Sequence, residues 1–452
     1  TNITVSGYRG FSRKTSLGLA VPNGNPGSGL TVLTGSNNSG KSAFIELFGL
    51  FYGQNPVDIP KGSRNKNTGY EIYIKVECDN NNYYECMSDM SDPKRVLKNR
   101  TGALPFEIIT VPATRRVDQN FQNNMERKQY LETMGFAVDR YSLSAKINHR
   151  LPFWRKNRAE INKILYQIVD RTFEWSVDET QGGQQGFILT TKEFEHTADG
   201  MGDGIAKLLY IVDSLYDKNE NTIIVIDEPE VCLNPYIQKK LFGFLLEASK
   251  THQIVIATHS PYFVSFDSAV HGMRLYRFAN YGDGTQVFEF SNDAKMFYSK
   301  SMNYQSSYLY GVEAREIFFI PDKIVLVEGQ DDAYLFQKLM NIVGGFPWIN
   351  VYGYGAGGHG NIDKIKLILK SLGHRKVICV YDKGVMKPES ESTSGYLAIE
   401  LPTLDIRDKE KDGKKIDGLF KSDGTLKMAG DKPEYSEFIE SARKSIVEYI
   451  AN

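Results

Sequence analysis

A glycine-rich loop of eight residues constrains this chain more than any other part of its sequence. The loop reads Gly-Ser-Asn-Asn-Ser-Gly-Lys-Ser over residues 35–42, after a short apolar run and before apolar residues at helical spacing. This is the strand, loop and helix order of the P-loop pattern Gly-x-x-x-x-Gly-Lys-Ser. Its glycines let backbone N–H groups turn toward phosphate oxygens, and the helix adds the positive end of its dipole. The sequence therefore predicts a nucleotide-binding core.

The positions of this loop have separate predicted roles. We expect Lys41 to reach the β- and γ-phosphates of ATP, and the Ser42 hydroxyl to bind Mg²⁺. The other loop residues expected around the phosphates are Gly35, Asn37, Asn38, Ser39 and Gly40. A flexible turn that matches the spacing by chance is disfavoured, because both flanking segments fit the pattern.

Length, charge and cysteine content limit the class of protein. A chain of 452 residues favours two or three domains. With a formal net charge of −1, contact with nucleic acid needs a local patch or metal chemistry. The four cysteines lack CxxC spacing and are typical of reduced thiols in the cytoplasm. No apolar run approaches about 18 residues and no leader pattern opens the chain, so we expect a cytoplasmic protein without membrane contact.

Two carboxylates follow an aliphatic strand predicted near residues 222–226. Asp227 stands at the strand end, where it can bind Mg²⁺ directly or through water. Its neighbour Glu228 can orient and deprotonate the attacking water. A lone Asp-Glu pair after a strand is commonly an acidic turn, but this pair lies downstream of a P-loop and is followed by Pro-Glu. We therefore predict a nucleotide–metal ligand at Asp227 and a catalytic base at Glu228.

Two further segments fit the same site. Thr258-His259-Ser260 ends the next predicted strand, from which the His259 imidazole could reach the γ-phosphate, although a lone histidine there is more often structural. A glycine cluster at 200–204 opens a predicted helix, and Gly202 and Gly204 could present N–H groups to ATP bound by a partner subunit. Taken alone, such a cluster usually marks a turn.

Together these segments resemble ABC-type ATPase heads of the SMC and RecF kind, and most closely the OLD (overcoming lysogenization defect) family. The phrases GSNNSGKS, DEPEVCLNP and ATHSP carry the resemblance, which covers about residues 1–300. It implies ATP held between composite half-sites, and hence a homodimer or higher homo-oligomer through the heads. The serine of the ABC-transporter signature is missing, and no Q-loop glutamine stands out. Arg115 or Arg116 could approach the nucleotide, although a surface ion pair is the commoner role.

Strands alternating with helices restart at Lys323 and predict a second, parallel α/β unit. Glu328 follows its first strand in Val-Glu-Gly-x-x-Asp, which ends at Asp332, and Asp382 follows a later strand. We expect Glu328 and Asp382 on adjacent strand ends, with Asp332 near enough to support a second metal. Carboxylate oxygens suit Mg²⁺ or Mn²⁺, and two metals would stabilise both the attacking and the leaving oxygen of a phosphodiester. Incidental acidic strand ends are the alternative.

The second unit resembles a Toprim domain, which in the OLD family is a metal-dependent nuclease. The resemblance implies catalytic roles for Glu328 and Asp382, and for a lysine that Lys432 could supply unless it is an exposed turn residue. Toprim domains usually carry Asp-x-Asp at the second strand, but this chain has Gly384 at the second acidic position. Either Asp405 or Asp408 substitutes, one metal suffices, or this copy cuts poorly or not at all.

The predicted architecture is α/β, with two domains. An ABC-type P-loop ATPase head with a mixed sheet spans 1–318, and a small Rossmann-like Toprim domain spans 319–452. The head includes a helical insertion at about 119–175, which is either an ordinary solvated surface or a contact for nucleic acid or a second subunit.

The predicted function is that of an antiphage defence effector. ATP and Mg²⁺ would be its cofactors, with Mn²⁺ an option at the Toprim site, and ATP would gate an endonuclease that cuts DNA rather than RNA. The alternative is a sensor or scaffold whose Toprim domain binds nucleic acid or a dedicated defence-system partner without cutting. An SMC-like repair ATPase is disfavoured, because no long heptad runs separate the P-loop from Asp227.

Overall fold

The chain forms two compact units in a computed structural model. It describes residues 1–50, 57–59, 62–78, 83–88, 95–100, 106–111, 113, 156–169, 174–179, 185–190, 195–197, 203–216, 222–302, 315–320, 322–347, 349–386, 396–427 and 433–451. The units are Thr1–Val287 and Phe288–Asn452. In the described residues, no helix is both long and apolar enough to cross a membrane.

The first unit combines strands with short helices. Its strands are β1 (Asn2–Ser6), β2 (Thr15–Gly18), β3 (Leu30–Gly35), β4 (Val57–Asp58), β5 (Tyr73–Glu77), β6 (Tyr83–Ser88), β7 (Arg95–Arg100), β8 (Glu107–Val111), β9 (Glu174–Glu179), β10 (Gln185–Thr190), β11 (Glu195–Thr197), β12 (Thr222–Asp227), β13 (Gln253–Ala257), β14 (Arg274–Asn280) and β15 (Thr285–Glu289), which crosses into the second unit. Its helices are α1 (Lys41–Leu50), α2 (Arg158–Val169), α3 (Asp203–Tyr216), α4 (Pro235–Ala248) and α5 (Phe266–Val270), with 3₁₀ turns at Lys66–Thr68 and Pro261–Phe263.

A largely parallel sheet forms the centre of this unit. Its strand order is β15-β14-β3-β13-β12-β8, and the five strands from β14 to β8 run parallel to their neighbours. Every residue of β3 and of β12 is buried. Continuous apolar strands of this kind are typical of a parallel sheet covered on both faces.

Helix α1 packs between this sheet and a second sheet. The second sheet is antiparallel, with order β2-β1-β5-β6-β7-β4. The ring of Phe44 on α1 lies 5.9–6.4 Å from the rings of Phe11, Phe48 and Phe278, and one apolar cluster joins residues of both sheets with the helix. The helix that follows the P-loop is therefore fixed on two sides by apolar burial.

The predicted helical insertion is only partly helical. Within about 119–175, residues 119–155 lie outside the described part of the chain, and α2 accounts for the helix that the structure shows. Trp175 lies on β9 of a small sheet with order β11-β10-β9, so its assignment to the helical segment was wrong. Its buried indole donates to Oδ1 of Asn162 at 2.7 Å, and Arg158 lies over its ring. Trp175 thus packs against α2 from a strand.

The second unit contains a smaller parallel sheet. Its helices are α6 (Asn292–Met302), α7 (Gln330–Val343), α8 (His359–Ser371) and α9 (Pro433–Ala451), with a 3₁₀ turn at Glu316–Phe318, and its further strands are β16 (Ile324–Leu326), β17 (Asn350–Val351), β18 (Val377–Tyr381), β19 (Tyr396–Glu400), β20 (Lys409–Lys411) and β21 (Lys414–Ile416). The order β17-β16-β18-β19 is parallel throughout, and β20 and β21 form a separate hairpin. The predicted restart of parallel α/β structure after Lys323 is confirmed.

The two units divide earlier than the predicted boundary after residue 318. The residues before that boundary include α6, and Phe290 and Tyr298 are buried together with Phe318. The ring of Phe290 lies 5.7 Å from that of Phe318 and 5.8 Å from that of Tyr298. Apolar burial therefore assigns residues 288–302 to the second unit. The spacing of polar residues along the sequence did not reveal this assignment.

Replacing Phe290 tests this assignment. We expect Phe290→Ala to destabilise the second unit by about 3–5 kcal/mol, because it removes a fully buried ring between α6 and the 3₁₀ turn. Hydrogen exchange should become faster in β16 and β18 and stay unchanged in β3. Met296→Ala is the control, since Met296 lies on α6, against which Phe290 packs, and is 54% exposed. Unchanged exchange in β16 and β18 would contradict the assignment.

Candidate functional site

The turn between β3 and α1 is built around two glycines. Gly35 has a φ of +136°, and a Cβ there would lie 2.2 Å from the carbonyl oxygen of Phe278. Gly40 has a φ of +107°, and its Cβ would lie 2.4 Å from Oγ1 of Thr285. Asn38 also has a positive φ, which asparagine tolerates better than most residues. Both glycines are therefore required by conformation and by space.

Lys41 begins α1 with a buried side chain. Its Nζ donates to the carbonyl oxygens of Gly35 at 2.9 Å and of Ser36 at 3.0 Å. Burial lowers the pKa of this ammonium to about 8, while the carboxylates of Asp227 and Glu228 oppose the shift. A buried ammonium encircled by a glycine-rich turn fits a phosphate group, which would bring the missing countercharge.

The other predicted phosphate ligands lie on the same turn. Ser39 is buried, and Ser42 is half-buried in the first turn of α1. Asn37 and Asn38 are exposed. Their contacts with a nucleotide stay predictions.

Three strand ends meet beside this turn. Asp227 on β12 is in register with Ala257 on β13, and Ala257 is in register with Leu33 on β3. Because neighbouring parallel strands end at one edge of the sheet, Asp227, the segment after Ala257 and the P-loop lie side by side. Asp227 and Thr258 thus stand at strand ends, as predicted, while their roles stay predictions.

Glu228 has a strained main chain. Its φ of +47° is uncommon for a residue other than glycine, and costs on the order of 1–3 kcal/mol. Two contacts hold it there: its N–H donates to the carbonyl oxygen of Ala257 at 2.7 Å, and its own carbonyl oxygen accepts from Nζ of Lys207. Lys207 is buried on α3. Sequence reasoning missed this lysine, because no motif marks it.

The side chains of Glu228 and His259 face each other. Nε2 of His259 lies 3.8 Å from Oε1 of Glu228, and both side chains are about one-third exposed. Burial lowers the pKa of His259, and the Lys41 ammonium lowers it further. The imidazole is therefore held in its neutral form near pH 7, next to a carboxylate.

Glu230 fixes the turn that carries His259. Its two carboxylate oxygens accept from Oγ1 of Thr258 at 2.8 Å and from the N–H of His259 at 2.5 Å. Burial raises the pKa of Glu230, and these hydrogen bonds oppose that shift. The turn is also held from α4, since Ser260 donates to Oε1 of Gln238 at 2.6 Å. Glu230 was read from the sequence only as context, and the geometry makes it a positioning residue.

The glycines of the predicted signature loop have a different environment from the one expected. Gly202 lies outside the described residues. Gly204 is in the first turn of α3, where a Cβ would lie 2.6 Å from the carbonyl oxygen of Cys232. This glycine is thus explained by close packing of α3 on the loop after Asp227. A contact with ATP of a second subunit stays a prediction.

A group of carboxylates lies at the corresponding edge of the second unit. Glu328 follows β16 and Asp382 follows β18, and these strands are neighbours, as predicted. The N–H of Asp382 donates to Oε1 of Glu328 at 3.3 Å. Burial raises the pKa of Asp382 to about 7, the charges of Asp332 and Glu328 add to the rise, and Lys409 opposes it. The carboxylates therefore lie close enough for the negative charge of one to disfavour ionisation of the others.

Asp332 has a structural partner as well. Its Oδ2 accepts from the N–H of Gly329 at 2.8 Å and so caps the first turn of α7. Burial raises its pKa to about 6, and the hydrogen bond from Gly329 opposes that rise. In the described residues, no group of three or more His, Cys, Asp or Glu side chains is placed to hold a metal ion. The donor chemistry of Glu328, Asp332 and Asp382 suits Mg²⁺, but their placement does not form a metal site.

The substitutes suggested for the missing Asp-x-Asp aspartate are engaged elsewhere. Asp408 accepts from Nζ of Lys427 at 2.6 Å and from the N–H of Gly418 at 2.8 Å, which ties it to the hairpin base. Asp405 forms an ion pair with Lys409. These three contacts explain both aspartates by local structure.

Glu400 stands nearest to the missing aspartate instead. It ends β19, next to β18, and its Oε1 accepts from the N–H of Gly384 at 3.0 Å. Sequence spacing could not single it out, because its proximity arises from strand pairing. Lys432, the predicted catalytic lysine, lies outside the described residues, as do Arg115 and Arg116.

Comparisons with known proteins agree with a nucleotide-hydrolysing first unit. Residues 101–265 match the family described as "AAA domain, putative AbiEii toxin, Type IV TA system". The match includes Asp227 and the 258–260 turn but not the P-loop. Together with the P-loop geometry, it shows an ATPase domain of the P-loop type with an α/β fold. A comparison with curated proteins gave no match.

Solved structures similar to this chain include three heads of SMC proteins. They are the SMC head domain from Thermotoga maritima (12% identity, TM-score 0.37, 64% of this chain and 98% of that one), an SMC head bound to the C-winged helix domain of ScpA (10%, 0.43, 66% and 98%), and an SMC head with an extended coiled coil bound to the C-terminal domain of ScpA from Pyrococcus furiosus (9%, 0.41, 67% and 98%). These scores are low. The OLD and Toprim resemblances therefore stay predictions.

Removing the charge of Glu230 tests its positioning role. We expect Glu230→Gln to lower kcat for ATP hydrolysis about tenfold with little change in KM, because the amide leaves either Thr258 or the His259 N–H without its acceptor. Steady-state kinetics give both constants. Glu247→Gln is the control, since this exposed glutamate pairs with Lys250 on the surface. An unchanged kcat would contradict the role.

Proposed function

We propose that the first unit hydrolyses ATP at the site where β3, β12 and β13 end. The observation that carries the proposal is the convergence of Lys41, Asp227 and the facing pair Glu228 and His259 at one sheet edge. A phosphate-binding cation, an acidic strand end and a carboxylate beside a neutral imidazole are the groups that phosphoryl transfer to water requires.

Each group has a defined task in this proposal. The phosphates replace the Gly35 and Ser36 carbonyl oxygens as acceptors for Lys41. Glu228 orients the attacking water and takes its proton, and neutral His259 donates a hydrogen bond to the γ-phosphate. Ser42 and Asp227 are the residues that would hold Mg²⁺, which supplies charge neutralisation on the phosphates when bound.

Two substitutions separate binding from hydrolysis. We expect Lys41→Ala to lose ATP binding, because the phosphates lose their buried cation. We expect Glu228→Gln to keep ATP binding and to lower kcat by about 10²–10⁴-fold, because an amide cannot accept the proton. Calorimetric ATP binding and a phosphate-release assay measure the two effects.

The matched control is Lys250→Ala, which removes a half-buried lysine that pairs with Glu247. Wild-type turnover in Lys41→Ala would refute the P-loop assignment. Wild-type turnover in Glu228→Gln would remove Glu228 as the base.

The same Glu228→Gln protein with ATP and Mg²⁺ serves for light scattering, because the proposed homodimer through the heads requires a doubled mass when ATP is held without turnover.

A second candidate function, phosphodiester hydrolysis by the second unit, is favoured by its carboxylates. Glu328, Asp382 and Glu400 stand at the ends of neighbouring strands, with Asp332 in the first turn of α7, and the raised pKa values of Asp332 and Asp382 fit functional carboxylates. On this proposal the chain is an OLD-type, cytoplasmic antiphage effector that cuts DNA, gated by the ATP state of the first unit. Mg²⁺ or Mn²⁺ would bind only when Glu328, Asp332 and Asp382 lie closer together than the structure places them. The rival is a sensor or scaffold that binds nucleic acid or a defence partner without cutting, which Gly384 favours.

Cleavage of plasmid DNA with Mg²⁺ or Mn²⁺, with and without ATP, decides between them. We expect Glu328→Ala and Glu400→Ala each to lower the cleavage rate by at least about 100-fold, because each removes a carboxylate from the group. A rise in melting temperature with Mn²⁺ in wild type, lost in both variants, is a readout independent of cleavage. Glu410→Ala, an exposed change on β20, is the control. No cleavage by a wild type that hydrolyses ATP would favour the sensor.

A further inference from the structure

The second unit has a cavity beside the carboxylates that the proposed functions leave unused. Its volume is about 630 Å³, and α7, β17 and the segment after β17 line it. Ligand pockets commonly have volumes of about 300–1,000 Å³, so it is large enough for a nucleoside.

One stripe of α7 supplies half of the polar side chains that line it. Gln330, Tyr334, Gln337 and Asn341 follow each other at spacings of three and four residues and so share one face of the helix. The opposite face, with Leu335, Phe336 and Leu339, is buried in the apolar core. The stripe is therefore a polar and aromatic surface that lies outside the apolar core of the unit.

The chemistry of the lining points to a flat, uncharged heterocycle. Two exposed rings lie at the cavity: Tyr334 from α7 is 67% exposed, and Tyr354, from the glycine-rich loop at 353–358 after β17, is 49% exposed. Four carboxamides, Gln330, Gln337, Asn341 and Asn350, offer paired donors and acceptors. An apolar floor is formed by Ala333, Met340, Phe346, Pro347, Ile349 and Val351.

The charged groups of the cavity disfavour a phosphate ligand. The described lining contains no lysine or arginine, and its two carboxylates are Asp331 and Glu316. Asp331 is paired with Arg407 at 2.8 Å. A carboxylate can accept from the exocyclic amino group of a base but repels phosphate. Aromatic stacking with edge contacts from amides and carboxylates is how proteins bind unpaired bases.

The cavity adjoins the carboxylates through shared segments of backbone. Gln330 and Asp331 line it, while the next residue, Asp332, lies among the carboxylates. On its other side, Gly355 packs so closely on Gly329 that a Cβ would lie 2.5 Å from the Gly329 carbonyl oxygen. A base in the cavity therefore places the linked backbone next to Glu328.

The phosphates of such a strand have a basic neighbour. The hairpin of β20 and β21 begins two residues after Arg407 and carries Lys409, Lys411, Lys414 and Lys415, which are all exposed. The ion pair between Arg407 and Asp331 fastens this hairpin to the cavity rim. Apolar and amide groups that suit a base thus lie beside cations that suit the phosphates of a nucleic-acid backbone.

We propose that this cavity binds an unpaired base of single-stranded DNA and holds its strand beside Glu328 and Asp382. The choice of nucleic acid rests on the proposed phosphodiester hydrolysis, and base binding itself requires neither metal nor ATP.

Binding of a labelled oligonucleotide of about 12 nucleotides to the full chain in EDTA tests this, with fluorescence anisotropy as the readout. We expect Tyr334→Ala with Tyr354→Ala to weaken binding by about 10- to 100-fold, since stacking is lost. The matched change of both residues to Phe should keep the affinity within about twofold, because the rings remain. Tyr236→Ala, which removes a tyrosine 56% exposed in the first unit, should have no effect.

Competition separates bases from phosphates. An abasic oligonucleotide of equal length and a duplex of the same sequence should each compete at least about tenfold less well than the single strand. Equal competition by either, unchanged binding by the double alanine variant, or no binding by wild type would overturn the proposal. Failure of the proposed hydrolysis is distinguishable from failure of base binding. Cleavage is scored separately on plasmid DNA, and Glu328→Ala should still bind the strand in EDTA.

Discussion

The parallel register of β3, β13 and β12 is the constraint on which the first unit depends. Main-chain hydrogen bonds align Leu33, Ala257 and Asp227 across three strands, so each strand delivers its next residues to the same sheet edge. A slip of one residue would turn these strands over and bring polar loop residues into a fully buried sheet. Because β3 and β12 are buried along their whole length, such a slip is energetically excluded. The position of the site is therefore a consequence of burial.

Burial also explains how a strained residue persists at this edge. Glu228 has a left-handed main chain, which would relax in an exposed turn. Lys207 and Ala257 hold its carbonyl and N–H groups, while Glu230 fixes the next strand end through Thr258 and His259. These contacts come from three separate parts of the chain. The distance between Glu228 and His259 is thus set by a small network of buried polar groups, in which loss of one partner leaves another without its hydrogen bond.

Sequence reasoning reached the elements whose signal is local. The P-loop turn, the acidic end of β12 and the parallel strands of the second unit each combine apolar runs with glycine or carboxylate at fixed spacing. It did not reach Lys207, Gln238 or Glu400, because their partners are distant in sequence and only strand pairing or helix packing joins them. It misplaced Trp175 and the start of the second unit for a related reason, since aromatic residues that bury against a helix or a 3₁₀ turn have no periodicity of their own.

The same limit separates the two faces of α7. Its apolar face is predictable from the helical spacing of its apolar residues. The Asp332 cap belongs to the motif that begins at Glu328. In the sequence, its polar stripe looks like any solvated helix surface. In the structure, β17 and the loop at 353–358 lie opposite it. Only then do two tyrosines and several amides become the walls of one cavity. Since the first turn of the helix borders both this cavity and the carboxylates, a shift of α7 would alter both together. The proposed base binding and the proposed phosphodiester hydrolysis would therefore both depend on the position of this one helix.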